Sequence, residues 1–319
     1  MIRKNIRVVF FSIASFLGAF IAFSIINEDQ FYIPQTEHRH QFFNHKIPTH
    51  HLFAGELVHF KNPKAYGYYN RELQSNAQRN SSARLLLKNA AIWLPVFERM
   101  LTQQGIPEDF KYIPIVESGL QNVYSPKGAV GFWQLKENTA IELGLIVNAE
   151  VDERLHPIRS TQAAIRFFKQ AYKEFGTWTL AAASYNRGMG GMQRAMDKQG
   201  VNDFYDLDLN RETASYIYRL LAVKDVMEHP NKYGLKMYRW NRPAVQSIVV
   251  KESVSDLKTW AAKHNVRYDV VKEYNPWLIG ESLTLEKGKS FTIELPLKMT
   301  SPASDSIFVE LDKLDKQEE

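Results

Sequence analysis

Between residues 81 and 227 the chain reads as one helical segment after another with no strand alternation between them, and that run confines it to an all-α lobe. Residues 81–104 carry Leu85, Leu86, Asn89, Ile92, Trp93, Val96 and Met100 at helical spacing, with Ser82 placed to cap the segment and Pro95 inside it as a candidate kink. Gly105-Ile106-Pro107 breaks the chain before a short helix. A further helix is expected over 137–143. Residues 160–175 put Ala164, Phe167, Phe168, Ala171, Tyr172 and Phe175 on one face. Residues 178–186 are apolar enough to be central, with Gly188 at the C-cap. In the segment 212–227, Tyr216, Leu220 and Val223 share a face. Asp152-Glu153-Arg154, closed by His156-Pro157, reads as a structural ion-pair and capping cluster rather than as catalysts.

One stretch inside this lobe, residues 111–134, concentrates chemistry. An apolar run, Tyr112-Ile113-Pro114-Ile115-Val116, ends at the carboxylate Glu117, and Ser118 follows directly. Then come Ser125, a loop with Gly128, Ala129 and Gly131, and the step Trp133-Gln134. A carboxyl group in apolar surroundings resists ionisation, which makes it a candidate general acid at neutral pH. Glycines let backbone approach a ligand closely, Trp133 offers a flat face for a sugar, and Gln134 offers a donor and an acceptor. Taken alone, the stretch fits equally well a glutamate at a helix end beside an ordinary turn.

Two further motifs lie downstream in order: Ala183-Ser184-Tyr185-Asn186-Arg187-Gly188 and Glu212-Thr213-Ala214-Ser215-Tyr216. With them the chain resembles the lysozyme-like lytic transglycosylases that cleave bacterial peptidoglycan, and among these the membrane-bound D type of murein transglycosylase. In that family a catalytic Glu-Ser pair precedes a Ser-x-x-Gly-Ala-x-Gly-Leu/Ile-Met/Trp-Gln loop, then Ala-Tyr-Asn-x-Gly, then Glu-Thr-x-x-Tyr. Here Phe132 stands in the Leu/Ile place. The likeness runs from Phe53-Ala54-Gly55-Glu56 to Tyr233-Gly234. It implies a lysozyme-like fold, with Glu117 catalytic and Ser118, Ser125, Gly131, Trp133, Gln134, Tyr185, Asn186, Glu212 and Tyr216 around the substrate.

The 319 residues suffice for about two domains, and 45% apolar content is ordinary for a chain with a core. A net charge of +5 from 40 basic and 35 acidic residues is mild, which argues against a nucleic-acid partner and suits an anionic polymer. With no cysteine, disulfides and Cys-ligated metals are excluded. After Arg3, Lys4 and Arg7, residues 8–26 run without a charge, and Glu28 and Asp29 follow. As a helix this run spans about 28 Å, close to a bilayer core. Its flanks place the N-terminus in the cytoplasm and the remainder outside, which the resemblance implies is the periplasmic side of a bacterial envelope. An uncleaved membrane anchor and a signal peptide cut near Ala22-Phe23-Ser24 both fit, and the length favours the anchor. Residues 27–51 read as a linker rich in histidine, with no ligand set that specifies a metal.

The pattern changes after Tyr238. A β-branched segment at 244–250, helices at 255–264 and 270–274, and a strand at 290–295 give the order βααβ. This resembles the LysM module, a small α+β unit that binds N-acetylglucosamine units of glycans. Asn275-Pro276 and the turn Lys287-Gly288-Lys289 match its late motifs, while Glu252-Ser253-Val254-Ser255-Asp256-Leu257 replaces the usual Gly-Asp-Thr-Leu. The expected organisation is therefore mainly α: 1–26 anchor or signal, 27–51 linker, 52–237 catalytic lobe, 244–297 separable LysM-like module, 298–319 charged tail.

The resemblance implies cleavage of the β-1,4 bond between N-acetylmuramic acid and N-acetylglucosamine, with Glu117 acting first as acid and then as base, a 1,6-anhydromuramoyl product, and no metal or organic cofactor. Peptidoglycan strands are the implied partner. A hydrolytic lysozyme-type muramidase, a non-enzymatic wall-binding scaffold and a periplasmic sensor using the His-rich segment are the rival readings.

Overall fold

The computed structural model describes residues 51–61, 63–77, 81–235 and 243–297, without the side chains of Ser81, Ser82 and Arg84. The expected anchor, nearly all of the His-rich linker, the Ser82 cap and the charged tail lie outside that description. Among the described residues no helix is long and apolar enough to cross a membrane.

The architecture is mainly α. A hairpin of β1 (Leu52–Phe53) and β2 (Glu56–Leu57) leads into α1 (Pro63–Asn76) and α2 (Ser81–Thr102). A 3-10 turn, Glu108–Tyr112, hands over to the short α3 (Ile113–Ser118). The hairpin β3 (Ala129–Val130) and β4 (Leu135–Lys136) then precedes α4 (Glu137–Glu142). The rest of the lobe is α5 (Pro157–Phe175), α6 (Trp178–Arg187), α7 (Met189–Gln199) and α8 (Arg211–Glu228). The two short hairpins depart from the strictly helical expectation. They are the places where the chain must reverse tightly, with Gly55 at φ +80° in one and Gly131 at φ +85° in the other.

The apolar faces of α5, α6 and α8 become one core, while α2 buries Leu87, Ala90, Phe97 and Leu101 and leaves the expected stripe of Leu85, Leu86, Asn89, Ile92, Trp93, Val96 and Met100 only partly buried. Helix α8 is the axis of that core, with Tyr216, Ile217, Leu220, Ala222 and Val223 fully buried. Asn210 starts it by accepting a bond from Thr213 N at 3.0 Å. Helix α6 buries Ala181, Ala182 and Ala183, small side chains that let its backbone come close to its neighbours. Glu56 accepts from Trp178 N, Thr179 N and Thr179 Oγ1 at 2.6–2.8 Å, so the first turn of α6 is capped from β2. Tyr172, expected on the inward face of α5, is exposed and stacks on Trp178 instead. His51, assigned to the linker, is buried against Phe60 and Tyr69 and belongs to the folded lobe.

The C-terminal module has the expected order: β5 (Val245–Val250), α9 (Leu257–Lys263), α10 (Tyr268–Tyr274), β6 (Phe291–Pro296). Its strands pair antiparallel from Val245↔Pro296 to Val250↔Phe291. Asp256, in the divergent loop, caps α9 by accepting from Lys258 N and Thr259 N. Asn275 is buried and fastens the end of α10 to β6, donating to Glu294 O and accepting from Glu294 N. The module packs directly on the lobe. Val130, Val151 and Leu155 of the lobe complete the same apolar cluster as Leu257, Trp277, Leu278, Leu283 and Ile293.

Candidate active site

Helix α3 is short because Pro114 starts it and Gly119, at φ +61°, ends it in a left-handed cap. Its first turn, Ile113-Pro114-Ile115, is buried, which leaves Glu117 near the C-terminal end on a partly open face. Tyr216 donates from its hydroxyl to Glu117 Oε1 at 2.7 Å. Burial pushes the Glu117 carboxyl above the ordinary carboxylate range, and the charge of Glu212 adds to that. The Tyr216 hydrogen bond and the charge of Arg219 pull the other way without reversing it. Glu212, Tyr216 and Arg219 sit at i, i+4 and i+7 on α8, so one helix face supplies all three. Both Tyr216 and Tyr185 are held well above the usual phenol range, by burial first and by the charge of Glu117 second. They act as neutral donors.

The loop beneath Glu117 is built from backbone carbonyls. Ser118 Oγ donates to Phe132 O at 2.8 Å and Pro114 O at 2.9 Å, tying α3 to the loop. Tyr185 donates to Trp133 O at 2.6 Å, tying α6 to the same loop. Gln134, at φ +50°, donates from its side chain to Gly131 O and Val123 O. Ser125 Oγ accepts from Ala129 N and closes the turn. Asn186 donates to Glu212 at 3.4 Å and accepts from Thr213 Oγ1 at 3.0 Å.

Two expected contacts with a ligand, at Trp133 and Gly131, are corrected by these positions. Trp133 is fully buried, with its indole N–H donating to Thr161, so it presents no face to a sugar. Gly131 is required by its neighbours: a Cβ there would lie 2.0 Å from Arg154 O, and its φ is left-handed. It admits protein backbone, not ligand. Ser118, Ser125 and the amide nitrogen of Gln134 are engaged inside the loop. The structure brings together Glu117, Tyr216, Glu212, Asn186 and Tyr185 around α8 and α6. Asp152-Glu153-Arg154 is the structural cluster expected, with Arg154 paired to Asp152 at 2.7 Å and Arg159 to Glu153 at 2.8 Å.

Sequence reasoning missed Arg219, which faces Glu117 electrostatically, donates to Val116 O at 3.4 Å and pairs with Glu72 of α1 at 3.3 Å. Its spacing three residues after Tyr216 on the same helix face was the available signal. Tyr124, beside the turn at Ser125, is 62% exposed.

A helical lobe with one half-buried, tyrosine-bonded glutamate, followed by a βααβ unit, defines the class. Residues 95–207 match the Transglycosylase SLT domain, and residues 246–299 match the Soluble lytic transglycosylase C-terminal LysM-like domain. The chain thus carries an SLT domain with a LysM-like domain after it. It is 27% identical over 187 residues to "Membrane-bound lytic murein transglycosylase D" of Escherichia coli (strain K12), covering 57% of this chain and 41% of that protein. The same figures hold for the protein of that name from Escherichia coli O6:H1. A "Putative tributyltin chloride resistance protein" of Alteromonas sp. (strain M-1) is 33% identical over 96 residues, 30% of this chain and 46% of that protein. The chain spans about two fifths of the length of the transglycosylases it matches.

Proposed function

We propose that this chain is a peptidoglycan lytic transglycosylase that cleaves the β-1,4 bond between N-acetylmuramic acid and N-acetylglucosamine. The observation that carries the reading is Glu117, a carboxyl raised by burial and held by Tyr216. Such a group is protonated at a pH where an ordinary glutamate is not, so it can deliver a proton to the glycosidic oxygen. The C1–O4 bond breaks and the leaving N-acetylglucosamine takes that proton. The 2-acetamido oxygen of the muramoyl sugar stabilises the cationic C1, the substrate-assisted route. Glu117, now a carboxylate, takes the proton of the C6 hydroxyl. That oxygen closes on C1 as a 1,6-anhydro ring, and the carboxylic acid is restored without water.

The arrangement around Glu117 supports a single-carboxylate route. Glu212 lies one turn from Tyr216 on α8, is exposed and bonds Asn186. Its charge raises the Glu117 pKa, which suits a role in keeping the acid protonated better than one as a nucleophile. Tyr185 and Tyr216 orient the loop and the acid. A cell-envelope location, with the lobe on the periplasmic side and an anchor or signal at residues 8–26, completes the reading.

The test is digestion of purified peptidoglycan followed by mass spectrometry. The expected muropeptides end in 1,6-anhydro-N-acetylmuramic acid, lighter by one water than hydrolytic products. Reducing-end products would reassign the chain as a muramidase. Glu117→Gln keeps the acceptor for Tyr216 but carries no titratable proton, so turnover should fall by about 10²–10⁴-fold or more. Near-normal turnover would remove Glu117 from the chemistry.

A further inference from the structure

The segment of the C-terminal module that follows α10 buries Trp277, Leu278 and Leu283. It lies on residues 148–156 of the lobe. Val151 bridges Leu278 in antiparallel fashion, and Asp152 N donates to Trp277 O at 2.9 Å. Ile279 N and Gly280 N both donate to Glu150 O, at 2.9 and 3.0 Å. The Glu150 carboxylate accepts from Ser282 Oγ, from Thr284 N at 2.7 Å and from Thr284 Oγ1 at 3.1 Å. These bonds hold its pKa below the ordinary value. His156 stacks on Trp277 with ring centroids 5.6 Å apart.

The lobe segment held this way leans on the loop under Glu117. Arg154, locked by Asp152, donates to Gly128 O at 3.3 Å, and its own carbonyl fills the space where Gly131 lacks a Cβ. Leu155 O accepts from Asn122 at 2.7 Å. Val130, next to Gly131, is buried in the module's own apolar cluster. The loop is therefore gripped from the Glu117 side by Ser118 and Tyr185, and from the other side by the module.

We infer that the LysM-like module docks on the catalytic lobe as a positioning element, fixing residues 128–134 beneath Glu117 through Glu150, Val151, Arg154 and Val130. The module acts on turnover and not only on attachment to an insoluble wall. The inference rests on the proposed transglycosylase reading for its activity arm alone.

Gly280 gives the test. The atoms nearest to a Cβ built there are Glu150 Cα at 2.8 Å, Ala149 O at 3.3 Å and Glu150 Cβ at 3.3 Å, all in the lobe. Its φ is not left-handed, so the module itself tolerates a side chain. Gly280→Val in the full chain should speed amide exchange at residues 150–152 and 128–134 while α8 keeps its protection. On soluble glycan fragments kcat should fall on the order of tenfold with KM little changed, because a misplaced acid costs turnover rather than binding. Gly280→Ala should show the same effects in smaller degree and guards against a variant that misfolds. Val249→Thr, on an exposed position of β5, should leave both readouts unchanged. An interface that opens at 150–152 with exchange at 128–134 and kcat unaltered overturns the inference. So does an interface that stays closed with valine at 280, or a loss confined to insoluble wall. If the wild type cleaves no glycan, the functional reading fails, and the exchange data still decide the docking claim.

Discussion

Glu117 and Tyr216 are separated by 99 positions in the chain and joined by one hydrogen bond of 2.7 Å. That bond stabilises the ionised form of the acid, opposing the burial that raises its pKa. Tyr216→Phe therefore should raise the Glu117 pKa further. The protonated form is the active acid, so activity is lost as pH climbs through that pKa. The alkaline limb of the kcat/KM profile should move to higher pH in the variant, while kcat at the optimum drops about tenfold from lost orientation. A limb that stays in place or moves down would show that Tyr216 does not bond the acid in solution. Gly131 and Trp133 mark the other residue-scale lesson. Both stand in the right motif positions, yet one is a contact for Arg154 O and the other is core. A motif gives spacing along the chain; burial depends on elements distant in sequence.

At the scale of elements, α6 shows how a remote residue sets the site. The helix carries Tyr185 and Asn186 in its last turn, and Glu56 of β2 satisfies three donors in its first. Truncation by Glu56→Ala leaves these groups without their acceptor. We expect a loss of about 1–2 kcal/mol, read as a fall of roughly 2–8 °C in Tm, and Glu56→Gln should recover part of it. No change in Tm would mean that water replaces the carboxylate at no cost. The helices at 81–104, 160–175, 178–186 and 212–227 stand where the sequence puts them; α5 buries most of its expected face, α6 is buried continuously from Thr179 to Ser184, and the face expected in α2 is only partly buried. The hairpins at 52–57 and 129–136 escape such a reading, since each strand has two residues and two residues have no period.

Across the whole molecule, lobe and module share an apolar cluster, so neither is complete alone. Each of Val130, Val151 and Leu155 gains about 1.5–3 kcal/mol from burial, of which separation would forfeit much. Calorimetry of the full chain should give one cooperative unfolding transition. Two well-separated transitions would show that the shared cluster does not couple them.

What the sequence determined by itself is the local and the repeated: helical segments with apolar faces, the βααβ order, the carboxylate at the end of an apolar run, and three motifs in order. These depend on neighbours within a few residues, where spacing and chemistry suffice. Only the tertiary structure decided that Tyr216 bonds Glu117, that Arg219 pairs with Glu72 nearby, that Trp133 is core, and that Trp277 and Leu278 lie on Val151 and Asp152. Val130, Val151 and Leu155 read in the sequence as ordinary apolar residues of the lobe. Which apolar residues they meet is set by how whole elements close over one another, and burial is non-directional, so nothing in the local pattern specifies the partner.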